Sequence, residues 1–284
     1  MIYNIVILCK QLEIERDYSM TDQYEKLKKA RLFVLDMDGT IYLGDKVFPQ
    51  AVEFVSKAKA TGKKIIYFTN NASKNPVIYY EKLKKMGFAV ERNEIITSGD
   101  VTARYLNKYH PGEPVYLVGT PALEESFAAY GIKLSDQANI VVSSFDTTLT
   151  YEKLVTACHL IRNGAIFYST HPDFNCPTED GFIPDSGSIC ALITASTGKT
   201  PKYFGKPYKE TAEMISQFSG IPFENTCVVG DRLYTDIALG RNNGITSVLV
   251  LTGETKREDV NEQNAPDYIF GDIGEIVRFL QLDC

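Results

Sequence analysis

The chain has 284 residues, 44% of them hydrophobic and 23% charged, with a formal net charge of −6. That is enough chain for one large or two moderate domains with their own cores. The acidic balance, without any Lys/Arg block, excludes nucleic acid polymers and anionic membranes as partners, and no apolar run is long enough to span a bilayer.

The first ten residues, MIYNIVILCK, lack a basic start and a small-residue cleavage site, so they do not read as a secretory signal. Met20 opens a segment that reads as a natural beginning, and residues 1–20 are taken as an N-terminal extension. Strands are expected at 31–36, 64–69, 115–119, 139–144, 165–169, 226–230 and 246–251. Several are apolar throughout, the pattern of strands covered on both faces in a parallel sheet. Helices are expected at 50–61, 76–86, from Thr150 through Arg162, and from Pro207 to Gly220, each bounded by Pro, Thr or Gly. This alternation predicts an α/β fold with right-handed crossovers. The six cysteines (Cys9, Cys158, Cys176, Cys190, Cys227, Cys284) form no CxxC and fit a reducing cytoplasm. The three scattered histidines give no support to a His-based metal site.

Chemistry gathers where strands end. RLFVLDMDGT runs into Asp36 and Asp38, KIIYFTNN into Thr69 and Asn70, and TCVVGDRLYTD into Asp231 and Asp236. Ligands of such sheets lie beyond the carboxyl ends of the strands, so four carboxylates are candidates for one pocket. Crowded carboxylates without His or Cys call for a hard cation, magnesium rather than zinc. Thr69 offers a hydroxyl, and Lys206 in YFGKPYK supplies a cation for an oxyanion. A carboxylate nucleophile, a second carboxyl group, a metal, a hydroxyl and a lysine together form the apparatus of phosphoryl transfer. Asp36 would attack phosphorus, and Asp38 would protonate the leaving alcohol and then deprotonate water.

In order, Asp36-Met37-Asp38-Gly39-Thr40, Thr69-Asn70, Lys206 and Gly230-Asp231-Arg232-Leu233-Tyr234-Thr235-Asp236 resemble the four motifs of haloacid dehalogenase (HAD) superfamily phosphatases. DMDGTIYLGD, YFTNNAS, GKPY and GDRLYTDIALG are similar to its NagD-like and para-nitrophenyl phosphatase-like group (class IIA). The resemblance implies a Rossmann-like core with a large α/β cap of type C2 inserted between the second and third motifs. Inclusively, 137 residues separate Asn70 from Lys206, far more than a crossover of about 30 residues needs. The division implied is a discontinuous core at 21–100 and 204–284, with a cap at 101–203.

By the same resemblance, Asp36 is nucleophile and Asp38 acid/base. Magnesium is held by the Asp36 and Asp231 side chains and the Asp38 carbonyl, and Asp236 holds a metal-bound water or orients Lys206. Thr69, Asn70 and Lys206 bind phosphate. A cap loop, STHPDFNCP followed by GFIPDSGS, stands where the group reads its leaving group, so His171 and Asp173 are expected to contact substrate. The implied activity is magnesium-dependent hydrolysis of a small phosphorylated metabolite, such as a sugar phosphate or nucleotide, through an aspartyl-phosphate. The alternatives are a phosphomutase or other phosphotransferase, and a non-catalytic aspartyl phospho-acceptor. The resemblance also allows a homo-oligomer through the cap.

Overall fold

Every one of the seven expected strands forms, and their order in space explains the convergence of motifs. The computed structural model describes residues 25–178 and 181–282, so the expected N-terminal extension lies outside the described residues. In chain order the strands are β1 (Leu32–Leu35), β2 (Tyr42–Leu43), β3 (Lys46–Val47), β4 (Lys64–Thr69), β5 (Ile95–Thr97), β6 (Val115–Val118) and β7 (Ile140–Ser143). There follow β8 (Ile166–Ser169), β9 (Asn175–Thr178), β10 (Gly181–Pro184), β11 (Lys202–Tyr203), β12 (Thr226–Gly230), β13 (Thr246–Val250) and β14 (Tyr268–Phe270). A six-stranded parallel sheet has the order β14-β13-β12-β1-β4-β5. A second, four-stranded parallel sheet, β11-β8-β7-β6, is built from the inserted segment.

Both faces of β1 are buried. Phe33 and Leu35 enter one apolar cluster with Phe54, Tyr67 and Ile276, whereas Leu32 and Val34 enter the other with Phe68, Phe204 and Val228. The period-2 side-chain alternation of a strand serves two layers of helices at once. The second sheet has its own core, in which Val118, Val141 and Phe167 meet Leu154, Ile161 and Ile193.

Helix boundaries follow their caps. Thr150 accepts from the Lys153 N–H and starts Tyr151–Arg162 as expected, and Asn75 accepts from the Ile78 N–H ahead of Pro76–Lys85. The helix after Pro207 starts later than expected, at Lys209 with Tyr208 as N-cap, and the Lys206–Pro207 peptide is cis. Helix Ser98–Tyr109 crosses residue 100/101 without a break, held by a reciprocal capping box between Thr97 and Asp100. Asp185-Ser186-Gly187, inside the stretch GFIPDSGS read as loop, is a helix start, with Asp185 capping Ser186–Thr197.

Candidate active site

β12, β1 and β4 are neighbours in register, Leu35 opposite both Val229 and Tyr67. The residues one position on in β1 and two positions on in β12 and β4 are Asp36, Asp231 and Thr69, which therefore arrive at one edge of the sheet. Glycine makes this edge fit. Gly39 has φ +89°, and a Cβ there would come 2.5 Å from Asp231 Oδ2. At Gly230 a Cβ would come 2.1 Å from the Asp236 carboxyl carbon. Asp236 itself is turned inward by a π-helical turn, Leu233–Ile237.

Lys206 is buried among these carboxylates. Its Nζ donates to Asp36 Oδ1, to Asp236 Oδ1 at 2.6 Å and to the Phe68 carbonyl at 3.4 Å. Burial opposes its charge, but Asp236 and Asp36 more than offset this and raise its pKa. Asp236 Oδ2 accepts from the Arg232 N–H at 3.3 Å, so Asp236 is committed to orienting its neighbours. Thr40 Oγ1 donates toward Asp231 Oδ1 at 3.3 Å, and the Glu254 N–H donates to Asp231 Oδ2 at 2.7 Å. Burial, with Asp236 and Asp231 adding to it against the pull of Lys206, pushes Asp36 up to about 8. Burial and Asp236 likewise push Asp231 up to about 6.

That crowding is the test of a metal's fit. Asp36, Asp231 and Asp236 can each bring a carboxylate oxygen within 4.8 Å of the others, and Lys206 alone does not balance them. An all-oxygen, carboxylate-rich donor set suits a hard divalent cation. Asp38 stands apart. Its Oδ1 accepts from the Gly44 N–H at 3.4 Å, donated from the β2–β3 hairpin. Burial raises its pKa, with Lys82 and the Gly44 bond opposing.

Asp36, Asp38, Thr69, Asn70, Lys206 and Asp173 all line one pocket. Two details differ from the sequence reading. The Asn70 side chain is already committed. Its Oδ1 accepts from the Lys206 N–H at 2.8 Å, and its Nδ2 donates to the Lys206 carbonyl at 3.0 Å and to Asp173 Oδ2 at 3.1 Å. It braces the lysine and ties the inserted segment to the sheet edge.

His171 is the clear correction, because it is not among the pocket-lining residues. It is fully buried, with Nε2 2.8 Å from Asp185 Oδ1 and Nδ1 2.9 Å from Thr170 Oγ1 and 3.3 Å from Ser98 Oγ. Both ring nitrogens are satisfied by protein, which leaves no substrate contact for it. Asp185 takes a place on the pocket wall instead.

Sequence reasoning missed Arg232. It lies in the fourth motif, between Asp231 and Leu233, and is 13% exposed in its side chain, with Nε 3.0 Å from Glu254 Oε2 and Nη1 3.7 Å from Asp173 Oδ2. Its signal was a cation inside an acidic motif, where four carboxylates need positive charge. Tyr42, Tyr79 and Cys176 also line the pocket. Burial pushes the Cys176 thiol up to about 12, so it stays protonated.

Two family models match, haloacid dehalogenase-like hydrolase over residues 33–133 and HAD-hydrolase-like over residues 203–276. An acid sugar phosphatase of Staphylococcus aureus is 35% identical over 258 residues, covering 90% of this chain and all of the relative. A crystal structure of a 4-nitrophenylphosphatase from Thermotoga maritima is 45% identical, with a TM-score of 0.87 over 90% of this chain and 99% of that one. NagD from Escherichia coli K-12 is 27% identical, with a TM-score of 0.81 over 87% and 98%.

Proposed function

Since the chain belongs to the haloacid dehalogenase-like hydrolases, as a NagD-like phosphomonoester hydrolase, we propose that it hydrolyses a small phosphorylated metabolite through an aspartyl-phosphate on Asp36. The observation that carries this reading is Lys206, buried between Asp36 and Asp236 beside Asp231 at the ends of three adjacent strands. In the first half-reaction a carboxylate oxygen of Asp36 attacks phosphorus and the ester P–O bond breaks. Asp38, whose raised pKa suits it to carry a proton, gives that proton to the departing oxygen. In the second half Asp38 takes a proton from water, the water oxygen attacks phosphorus, and the Asp36 carboxylate is released with inorganic phosphate. Lys206 and the Thr69 hydroxyl hold the phosphoryl oxygens, and Asn70 keeps Lys206 in place.

Magnesium, held by the carboxylates of Asp36 and Asp231 and the Asp38 carbonyl, would neutralise phosphoryl charge when bound. The six-stranded sheet is the core in this reading. The four-stranded sheet is the cap, bounded near residues 101 and 203 but with helix Ser98–Tyr109 left whole. The relatives are named for hydrolysis, which favours water over a second alcohol as acceptor and so weighs against a phosphomutase. Four free cysteines among the described residues support a cytoplasmic setting. Exposed Tyr151, Val155 and Leu192 on two packed cap helices offer a surface for a homo-oligomer.

Acid-quenched reaction of the enzyme with phosphorus-labelled substrate should trap a hydroxylamine-sensitive phosphoryl-enzyme. Asp36→Asn should form none and lose nearly all turnover. A folded Asp36→Asn protein that turns over normally would sink the mechanism.

A further inference from the structure

The chain passes from the six-stranded sheet to the inserted one along helix Ser98–Tyr109, and it leaves the inserted sheet after β11 for helix Lys209–Ser219. All three elements line one cleft of about 390 Å³, within the roughly 300–1,000 Å³ of small-molecule sites. It shares no lining residue with the acidic pocket. Its charge is also opposite. Arg104, Lys108, Lys202 and Lys209 stand against Glu210 and Glu213, a formal +2 in a protein of net charge −6. The cations come from three separate segments, so no basic run marks them in the sequence.

Both carboxylates are already engaged, Glu210 with Lys202 at 2.6 Å and Glu213 with Lys209 at 3.0 Å. Arg104 and Lys108 have no carboxylate at ion-pair distance among the described residues. Cations gathered around a concave surface focus a positive field, and an anion entering the cleft relieves their mutual repulsion. The rings are an independent observation. Tyr105 and Tyr109 lie with centroids 4.5 Å apart, Lys202 Nζ is 4.5 Å from the centre of the Tyr105 ring, and Lys108 Nζ is 5.0 Å from that of Tyr109. Tyr109 is 53% exposed. An open ring face beside ammonium groups suits a ligand that joins a flat ring to an anionic group.

We infer that this cleft is an effector site for a ring-bearing polyanion of the nucleoside diphosphate class, with its phosphates held by Arg104 and Lys108 and its ring stacked on Tyr109. Lys202 and Lys209 flank the phosphates from the two other elements. The site is remote from the catalytic pocket but joined to it by packing. Tyr105 meets the buried Phe204 ring at 4.6 Å between centroids, and Phe204 stands two residues before Lys206, whose ammonium lies over Phe68 of the same apolar cluster. A ligand that holds Arg104, Lys202 and Lys209 together ties both chain crossings to helix Lys209–Ser219. In the cap reading those crossings flex as substrate enters and product leaves, so the bound effector lowers kcat. Binding at the cleft is independent of the proposed reaction, and the effect on turnover rests on it.

The test begins with calorimetry of the metal-free protein against ADP, tripolyphosphate and adenosine. ADP should bind most tightly of the three, with an affinity that falls as salt rises. The Arg104→Gln/Lys108→Gln double variant should bind ADP about ten-fold more weakly or worse. Tyr109→Ala should weaken ADP about five-fold and leave tripolyphosphate almost unchanged. In turnover of para-nitrophenyl phosphate, with free magnesium held constant, ADP should lower kcat of the native enzyme about two-fold or more by slowing the crossings. It should not do so in the double variant, whose kcat without ADP stays at the native value. ADP that raises KM alone, or that binds the double variant as tightly as the native protein, would be sitting in the catalytic pocket and would overturn the inference. Tripolyphosphate binding as tightly as ADP would refute the ring-bearing ligand, and binding without a change in kcat would refute the effector role. A native protein inactive on every phosphomonoester would strike the phosphatase reading instead, and the calorimetry would still decide the site.

Discussion

Replacing Lys206 by Met tests whether the active site is held together by one ammonium group. Methionine keeps an unbranched stem that can pack near the Phe68 ring, over which Nζ lies at 5.4 Å. What disappears is the charge shared by Asp36 and Asp236, both deprived of water, with side chains 13% and 1% exposed. Removing one partner of a buried ion pair costs about 3–5 kcal/mol, because the other charge stays buried and unmatched. Here two carboxylates lose their partner, and the slight exposure of Asp36 softens only one of the two losses. The expected destabilisation is therefore about 3–5 kcal/mol, read as a drop in unfolding free energy by urea titration in chelator at about pH 9, above the raised pKa of Asp36, with an unchanged m-value. Adding Asp36→Asn removes one of the stranded charges, so the double variant should be more stable than the sum of the single losses, by roughly 1–3 kcal/mol of coupling. If Lys206→Met lies within about 1 kcal/mol of the native protein, and the double variant is strictly additive, the carboxylates are not being neutralised by Lys206 and the argument fails.

Stripping divalent cations should abolish turnover, and magnesium should both restore it and raise the unfolding free energy as its concentration increases; full activity in chelator would remove the proposed role of Asp231. Asp38→Asn should slow formation of the phosphoryl-enzyme from alkyl phosphates in single-turnover experiments by about 10²–10⁴-fold and from para-nitrophenyl phosphate by much less, since that leaving group departs without a proton; equal losses in this step would take Asp38 out of acid catalysis. Burial works to lower the His171 pKa, but the Asp185 carboxylate more than offsets this, so it lies above 6.5. A raised histidine pKa contributes stability that is full below about pH 6.5 and is lost as pH rises through the folded value. Urea titrations across pH 5.5–8.5 should show a falling difference between native and His171→Gln proteins, and a difference independent of pH would refute the charged His171–Asp185 pair.

The parts legible in the sequence were those whose signal is local. β1, β4 and β12 could be read because they are apolar runs with polar stops, and their parallel arrangement brings Asp36, Thr69 and Asp231 to the same edge. β5 escaped because three residues carry no period, and helix Ser98–Tyr109 because it opens on Ser-Gly-Asp, poor helix formers that only the capping box redeems. The β9–β10 hairpin looked like loop since Pro177 and Pro184 cannot donate to a ladder. His171 and Arg232 were misread or overlooked for one reason. A side chain's partner across the fold, Asp185 for the one and Asp173 and Glu254 for the other, leaves no mark on its own sequence neighbourhood.

The adjacency of β1 and β12 has a consequence for the order in which the protein is made. Leu32 pairs with Thr226 and Leu35 with Val229, so the strand that carries Asp36 must wait for one made about 190 residues later. At about 5–20 residues per second of translation, the wait is on the order of ten to forty seconds. β6 and β7 pair with their immediate successors and β8 with β11, all of them earlier in the chain than β12, so the inserted sheet can form on the ribosome while one edge of β1 still lacks its neighbour. The nascent chain can thus carry a formed inserted sheet while the edge that gathers Asp36, Thr69 and Asp231 is still incomplete.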